Sequence, residues 1–225
     1  MHSKYLQTVG AIFVTTLIVS NIIAVKIGSF GGYFLPVAVV IFPISYILGD
    51  ILTEVYGYQT MRRIIWTGFL CNLLAVIAIA IARAIPPAPF YQDQQAFDAI
   101  LGATPRILLA SFIAYLIGNF TNSYIMAKMK IKMKIKTSGR YLWTRTIAST
   151  IVGEGLDSLL FITIAFAGVF PDAKTILTVA ATQWIFKVLF EVIATPVTYG
   201  ITGWLKKAEQ IDTFDLQTNF NPLAF

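Results

Sequence analysis

The chain has 225 residues, of which 57% are hydrophobic, 14% aromatic and only 12% charged, with a formal net charge of +6. Its mean hydropathy is +0.74. A water-soluble globule of this size cannot hide so much apolar side chain, because much of its surface faces solvent. An ordinary soluble enzyme, a disordered chain and a secreted disulfide scaffold are thereby excluded. Cys71 is the single cysteine and His2 the single histidine, so cysteine zinc sites and histidine triads have no material to form from.

A bilayer core needs about 20 apolar residues in helical form. Six runs meet that need in chain order: Leu6–Ile27, Tyr33–Tyr56, Ile64–Ile85, Ile107–Met126, Thr144–Val169 and Leu177–Leu205. The expected fold is all-α, a polytopic membrane protein of six transmembrane helices. One transmembrane domain covers residues 1–207, and a polar C-terminal tail covers 208–225 and is expected to be loose. The first run is too long for a signal peptide and lacks a small-x-small cleavage site, so it is read as retained. The connection Pro86–Pro105 is read as a linker long enough to lid a cavity.

Positive residues mark alternate connections. Lys4, Arg62 and Arg63, the run Lys128–Lys136 with Arg140, and Lys206 and Lys207 all fall on one side. The positive-inside rule makes that side cytoplasmic, with both termini inside. The alternating lysines of residues 128–136 are read as a loop against anionic lipid headgroups, with no nucleic-acid partner, because no aromatic stacking platform accompanies them.

The informative residues are those that cost most in lipid. Asn21, Asn72, Asn119 and Asn122 lie in spans one, three and four. Asp50 and Glu54 lie in span two, Glu154 and Asp157 in span five, and Gln183, Lys187 and Glu191 in span six. The six ionisable groups would together cost on the order of 15 kcal/mol if they faced lipid. Asp50/Glu54 and Lys187/Glu191 are spaced i,i+4 and Glu154/Asp157 i,i+3, so each pair shares one helix face. Lys187 is the one cation set against five carboxylates in this reading, and Glu191 is the acid placed to satisfy it. That negative excess favours an inward-facing cavity over a purely structural lattice. Gly49, Gly118, Gly153 and Gly155 adjoin the polar positions and permit close helix approach. Pro36, Pro43 and Pro196 are expected to kink their spans.

Gly49-Asp50 with Glu54 in span two and Gly153-Glu154 with Asp157 in span five suggest a repeat, and because spans one to three and four to six run in opposite senses the two halves would be inverted repeats. Carboxylates and amides among aromatic residues suit a flat heterocycle with adjacent N–H donors, such as a guanine-like edge. A metal cation or a proton suits them equally.

The segments FPISYILGDILTEVYGY (Phe42–Tyr58), ILGATPRILLASFIAYLIGNFTNSYIMAKMK (Ile100–Lys130), LWTRTIASTIVGEGLDSLLFITIAF (Leu142–Phe166) and SNIIAVKI (Ser20–Ile27) resemble the queuosine precursor transporter family, also called vitamin-uptake-transporter-like. FKVLFEV (Phe186–Val192) matches less tightly. The resemblance covers about residues 10–205. It implies a bacterial inner-membrane importer of 7-deazaguanine bases, the cyano and aminomethyl precursors of queuosine in tRNA. Asn21, Asp50, Glu54, Arg106, Tyr115, Asn119, Asn122, Glu154, Asp157 and Lys187 fall within its polar motif segments.

The expected substrate-binding set is Asn21, Asp50, Glu54, Tyr115, Asn119, Asn122, Glu154, Asp157, Trp184 and Lys187. Asp50 or Asp157 would accept the N–H edge, the amides would complete its hydrogen bonds, and Tyr115 or Trp184 would stack. Protonation of one carboxylate would couple uptake to the proton gradient; uptake without coupling is the other choice. No catalytic residue, metal or cofactor is expected. The partners expected are the base and membrane lipid, and a homo-oligomer is compatible with the sequence. Competing readings are a substrate-capture subunit working with an ATPase partner, an intramembrane aspartyl protease using Asp50 and Asp157, and an ion channel.

Overall fold

The computed structural model describes residues 3–30, 33–102, 105–137, 141–168 and 172–224, the side chains of 27, 30, 33–35, 105–108 and 134–137 excepted. Arg106, Lys134, Lys136 and Arg140 of the sequence reading thus lie outside the described side chains. Seven α-helices occur among the described residues: α1 (Leu6–Ile23), α2 (Phe42–Tyr56), α3 (Tyr58–Ala84), α4 (Gln94–Leu101), α5 (Pro105–Thr137), α6 (Leu142–Phe166) and α7 (Ala173–Glu209).

Four of them, α1, α3, α6 and α7, are long and apolar enough to cross a membrane. The chain is therefore a multi-pass membrane protein. α2 has only 15 residues. α5 has 33 residues, and the side chains at both of its ends lie outside the described ones.

The second expected span differs from a single helix. Residues Ile27–Phe30 (β1) and Tyr33–Pro36 (β2) form an antiparallel hairpin, and a 3₁₀ turn at Val37–Val40 leads into α2. Strand-forming Tyr and Phe in GSFGGYFLP, interrupted by a glycine pair, favour a hairpin over a helix. Pro36 ends β2, and Pro43 sits in the first turn of α2, where a missing N–H costs nothing. Neither kinks a span. Pro196 lies inside α7.

α2 ends at Gly57, whose φ of +84° lets the chain reverse directly into α3. A Cβ there would stand 2.6 Å from Thr213 Cγ2, so the turn also makes room for the C-terminal tail. That tail is not loose. Thr213 N–H bonds to the Val55 carbonyl. Arg62 donates to the carbonyls of Asn219 and Asn221, at 2.8 and 2.9 Å, and Tyr58 to that of Phe220. Asp215, buried, accepts the Tyr58 N–H at 3.1 and 3.0 Å. Gly57 has no side chain to cap α3, so a residue 157 positions away supplies the acceptor that the helix start lacks.

The same end of the molecule gathers the start of α1 and the end of α7. Glu209 accepts the backbone N–H groups of Lys4 and Tyr5 and the Tyr56 hydroxyl. At the opposite end, α4 is tied by the exposed pair Arg83–Asp98 at 2.8 Å. The tightest interhelical seam joins α5 to α6. A Cβ on Gly118 would lie 2.8 Å from the Asp157 Cβ, and one on Gly153 would lie 2.7 Å from the Asn122 Cβ. Two glycines thus bring the backbones bearing Asn122 and Asp157 side by side.

Candidate functional site

Two separate groups of buried charge stand one turn of α2 apart. The first lies beside the tail. Glu54 is fully buried and accepts Arg145 Nε and Nη2 at 2.8 and 2.7 Å and Lys206 Nζ at 2.6 Å. Lys130, itself buried, donates to the Glu54 backbone carbonyl and stands 3.5 Å from its carboxylate. Lys130 and Lys206 also reach Asp212 of the tail, at 2.6 and 2.9 Å. Partial burial raises the Asp212 carboxyl, but hydrogen bonds from the two lysines outweigh it and hold the group below its ordinary value.

This arrangement revises the charge count. Arg145 lies one residue inside the fifth expected span and neutralises Glu54, a cation beyond the Lys187 counted from the sequence. Its position within an apolar run was the signal available. Lys130 lies not in a headgroup-facing loop but in α5, which continues helically to Thr137. Glu54 therefore belongs to an ion-pair lattice joining α2, α5, α6, α7 and the tail.

The second group is deeper. α6 presents Glu154 and Asp157, and α7 presents Lys187, whose Nζ lies 2.8 Å from Glu154 and 2.5 Å from Asp157. Asn122 on α5 donates to Asp50 Oδ1 on α2 at 2.6 Å. Tyr46, one turn before Asp50, donates to the Lys187 carbonyl at 3.3 Å, and Lys187 Nζ stands 4.9 Å from the Phe42 ring centre. Glu191 lies within electrostatic reach of Asp50 and Glu154 but is not paired with Lys187, contrary to the i,i+4 expectation.

The group is closed to solvent: Asp50 and Glu191 are 0% exposed, Glu154 4% and Lys187 5%. Yet its hydrogen bonding is incomplete. Among the described residues, Asp50 Oδ2, Asn122 Oδ1 and both Glu191 carboxylate oxygens have no hydrogen-bond partner. Buried polar atoms left unpaired in this way are few in folded proteins, and each calls for an explanation.

The remaining expected residues are placed elsewhere. Tyr115 donates to the Ile65 carbonyl in the α3–α5 seam. Asn119 donates to its own helix at Tyr115. Asn21 accepts from Ser111 at 3.3 Å. Trp184 donates to the Ile151 carbonyl and lines an apolar groove of about 250 Å³ with Gly155, Leu159 and Leu177. A wider opening of about 640 Å³ lies beside the tail at Gln59, Arg62 and Phe214. Neither volume reaches the deep acid group. Phe42 and Tyr46, not Tyr115 and Trp184, are the aromatic rings beside it.

Comparison with known proteins agrees with a transport role. A family model described as "Putative vitamin uptake transporter" matches residues 36–201. The chain is 27% identical over 161 residues to the "Probable queuosine precursor transporter" of Bacillus subtilis (strain 168), covering 72% of this chain and 69% of that protein. It is 26% identical over 166 residues to the "Queuosine precursor transporter" of Escherichia coli (strain K12), with 71% and 69% covered. A "Probable queuosine precursor transporter" of Haemophilus influenzae is 23% identical over 165 residues, with 71% and 65% covered. No solved structure matches the chain significantly. These relatives are named as transporters and not as enzymes, and the family match spans most of the sequence: the chain belongs to the vitamin uptake transporter family.

Proposed function

We propose that the protein imports queuosine precursors, 7-deazaguanine bases such as the 7-cyano and 7-aminomethyl forms, across the bacterial inner membrane with both termini cytoplasmic. The observation that carries this reading is the deep group with its unpaired acceptors, Asp50 Oδ2 and Asn122 Oδ1, in a chain whose relatives are named for these precursors. A guanine-like edge offers N–H and NH2 side by side, which Asp50 and Asn122 accept; Lys187 faces its carbonyl, and Phe42 and Tyr46 cover its plane. Asp157 and Glu154 hold Lys187 in position. Since the group is closed, base entry requires the helices that carry it to part, as in alternating access.

The same reading takes α2 and α5 as membrane-crossing with the four apolar helices, giving six spans. Two three-helix halves, α1–α3 and α5–α7, then run in opposite senses with their acids on the middle helix. The transmembrane domain runs to residue 207.

Uptake of labelled 7-aminomethyl-7-deazaguanine, in cells that cannot make it, tests the site. Asp50→Ala removes charge-assisted hydrogen bonds of about 1.5–3 kcal/mol, so uptake falls roughly 10–100-fold. Full uptake by both Asp50→Ala and Asp157→Ala at normal expression refutes it. A requirement for copurifying ATP-hydrolysing subunits would favour a substrate-capture subunit instead.

A further inference from the structure

The acid group has a surplus that base recognition does not use. Lys187 Nζ is shared between Glu154 and Asp157, so its charge is already spent. One turn along α2, the cations Arg145, Lys130 and Lys206 are occupied by Glu54 and Asp212. Glu191 is fully buried, and neither of its carboxylate oxygens finds a hydrogen-bond partner among the described residues. Tyr46 and Asp50 from α2 and Glu154 from α6 are the titratable groups within its electrostatic reach, and Lys187 stands one turn back on its own helix. Asp157 is paired with Lys187. A lone ionised carboxylate so enclosed costs several kcal/mol, and a group in that position takes up a proton instead.

We propose that Glu191 is the proton-carrying side chain of this transporter, loading on the outer side with the incoming base and unloading on the inner side. This rests on the transport reading above. In the loading step an O–H bond forms between a proton from outside water and a Glu191 carboxylate oxygen. In the unloading step that bond breaks and the proton passes to water on the inner side. No electrons change hands. The ionised Glu191 then competes with Asp157 and Glu154 for Lys187, four residues earlier on the same face of α7. Sharing that ammonium gives the Glu191 charge a counter-ion while the empty carrier returns. Protonation of Glu191 releases Lys187 to the arrangement seen here.

The test uses the purified full chain in liposomes, with labelled 7-aminomethyl-7-deazaguanine and its 7-cyano counterpart as probes. An outside-acid pH gradient is expected to drive base accumulation, and a protonophore to abolish it. Base-triggered proton entry, followed with an internal pH dye, is expected alongside. Glu191→Gln is expected to keep exchange of labelled for unlabelled base near the wild-type rate, to lose gradient-driven accumulation and to flatten its pH profile. Glu191→Asp, which restores an ionisable group, is expected to recover part of the coupling. Gradient-driven accumulation by Glu191→Gln equal to wild type overturns the proposal. So does wild-type accumulation that follows sodium or ignores the pH gradient. If Glu191→Gln fails to fold, the wild-type proton signal decides: base entry with no accompanying proton refutes the assignment. Exchange without any proton response defeats only the coupling, whereas no exchange of either base by wild type defeats the transport reading itself.

Discussion

Glu54 offers the sharpest test of how this chain holds itself together. Its carboxylate is fully buried and receives Arg145 twice and Lys206 once at 2.6–2.8 Å, with Lys130 beside it. Replacing Glu54 by Gln keeps the shape and removes the charge. Arg145, 1% exposed, would then lose the carboxylate it binds twice, while Lys130, 2% exposed, would keep Asp212. Breaking a buried pair from one side typically costs about 3–5 kcal/mol, most of it the penalty on the stranded partner. For a chain of this length, 1 kcal/mol corresponds to about 2–4 °C in melting temperature, so Glu54→Gln should lower Tm by roughly 6–20 °C. Thermal unfolding of the detergent-solubilised protein measures this. The contrast is Asp98→Asn, which breaks the Arg83–Asp98 pair whose side chains are 38% and 39% exposed; its cost should stay within about 1 kcal/mol. Combining Glu54→Gln with Arg145→Met should restore part of the loss, because the buried guanidinium that lost Glu54 is then gone. A Glu54→Gln protein that melts with wild type would refute the claim that this lattice supports the fold.

Other outcomes follow from single contacts. Gly118→Ala places a methyl 2.8 Å from the Asp157 Cβ and should force α5 and α6 apart, costing about 1–3 kcal/mol in Tm measurements; an unchanged Tm would show that the seam is loose. Asp215→Ala removes the acceptor that caps α3 and should destabilise by about 0.5–2 kcal/mol, with faster proteolysis of the released tail. Asp212 has its carboxyl held below the ordinary value of 3.8. Its contribution should therefore be complete above that value and disappear as pH falls through the lower folded value. The Tm difference between wild type and Asp212→Asn should be constant near neutral pH and vanish in acid; because the side chain is 43% exposed, the difference should be small.

Much of this architecture was legible in the residues. The apolar runs located α1, α3, α6 and α7, because a helix that must satisfy its own backbone in lipid announces itself by length and composition. The requirement that Asp50, Glu154, Asp157 and Lys187 turn inward followed from what their exposure would cost, and all four are buried together. The i,i+4 pattern was less dependable. Lys187 passes over Glu191 on its own helix for Glu154 and Asp157 on α6, because a neighbouring helix can bring a carboxylate closer than one turn of the same helix does. Arg145 and Lys130 look like flanking positive charges until α6 and α5 are set against Glu54. The tail reads as polar and mobile until Gly57 leaves α3 without a cap.

The residues alone place this chain in a membrane, mark where it is apolar and where it is basic, and show which side chains are too costly to meet lipid. Those properties are local, set by the transfer free energy of each residue. Helix packing sets which acid meets which cation, neutralises Glu54 while leaving the Glu191 carboxylate alone, and brings the tail across one end. Those outcomes depend on distances between helices far apart in the chain, and at short range in a medium of low dielectric such distances decide whether a charge is stabilised or stranded.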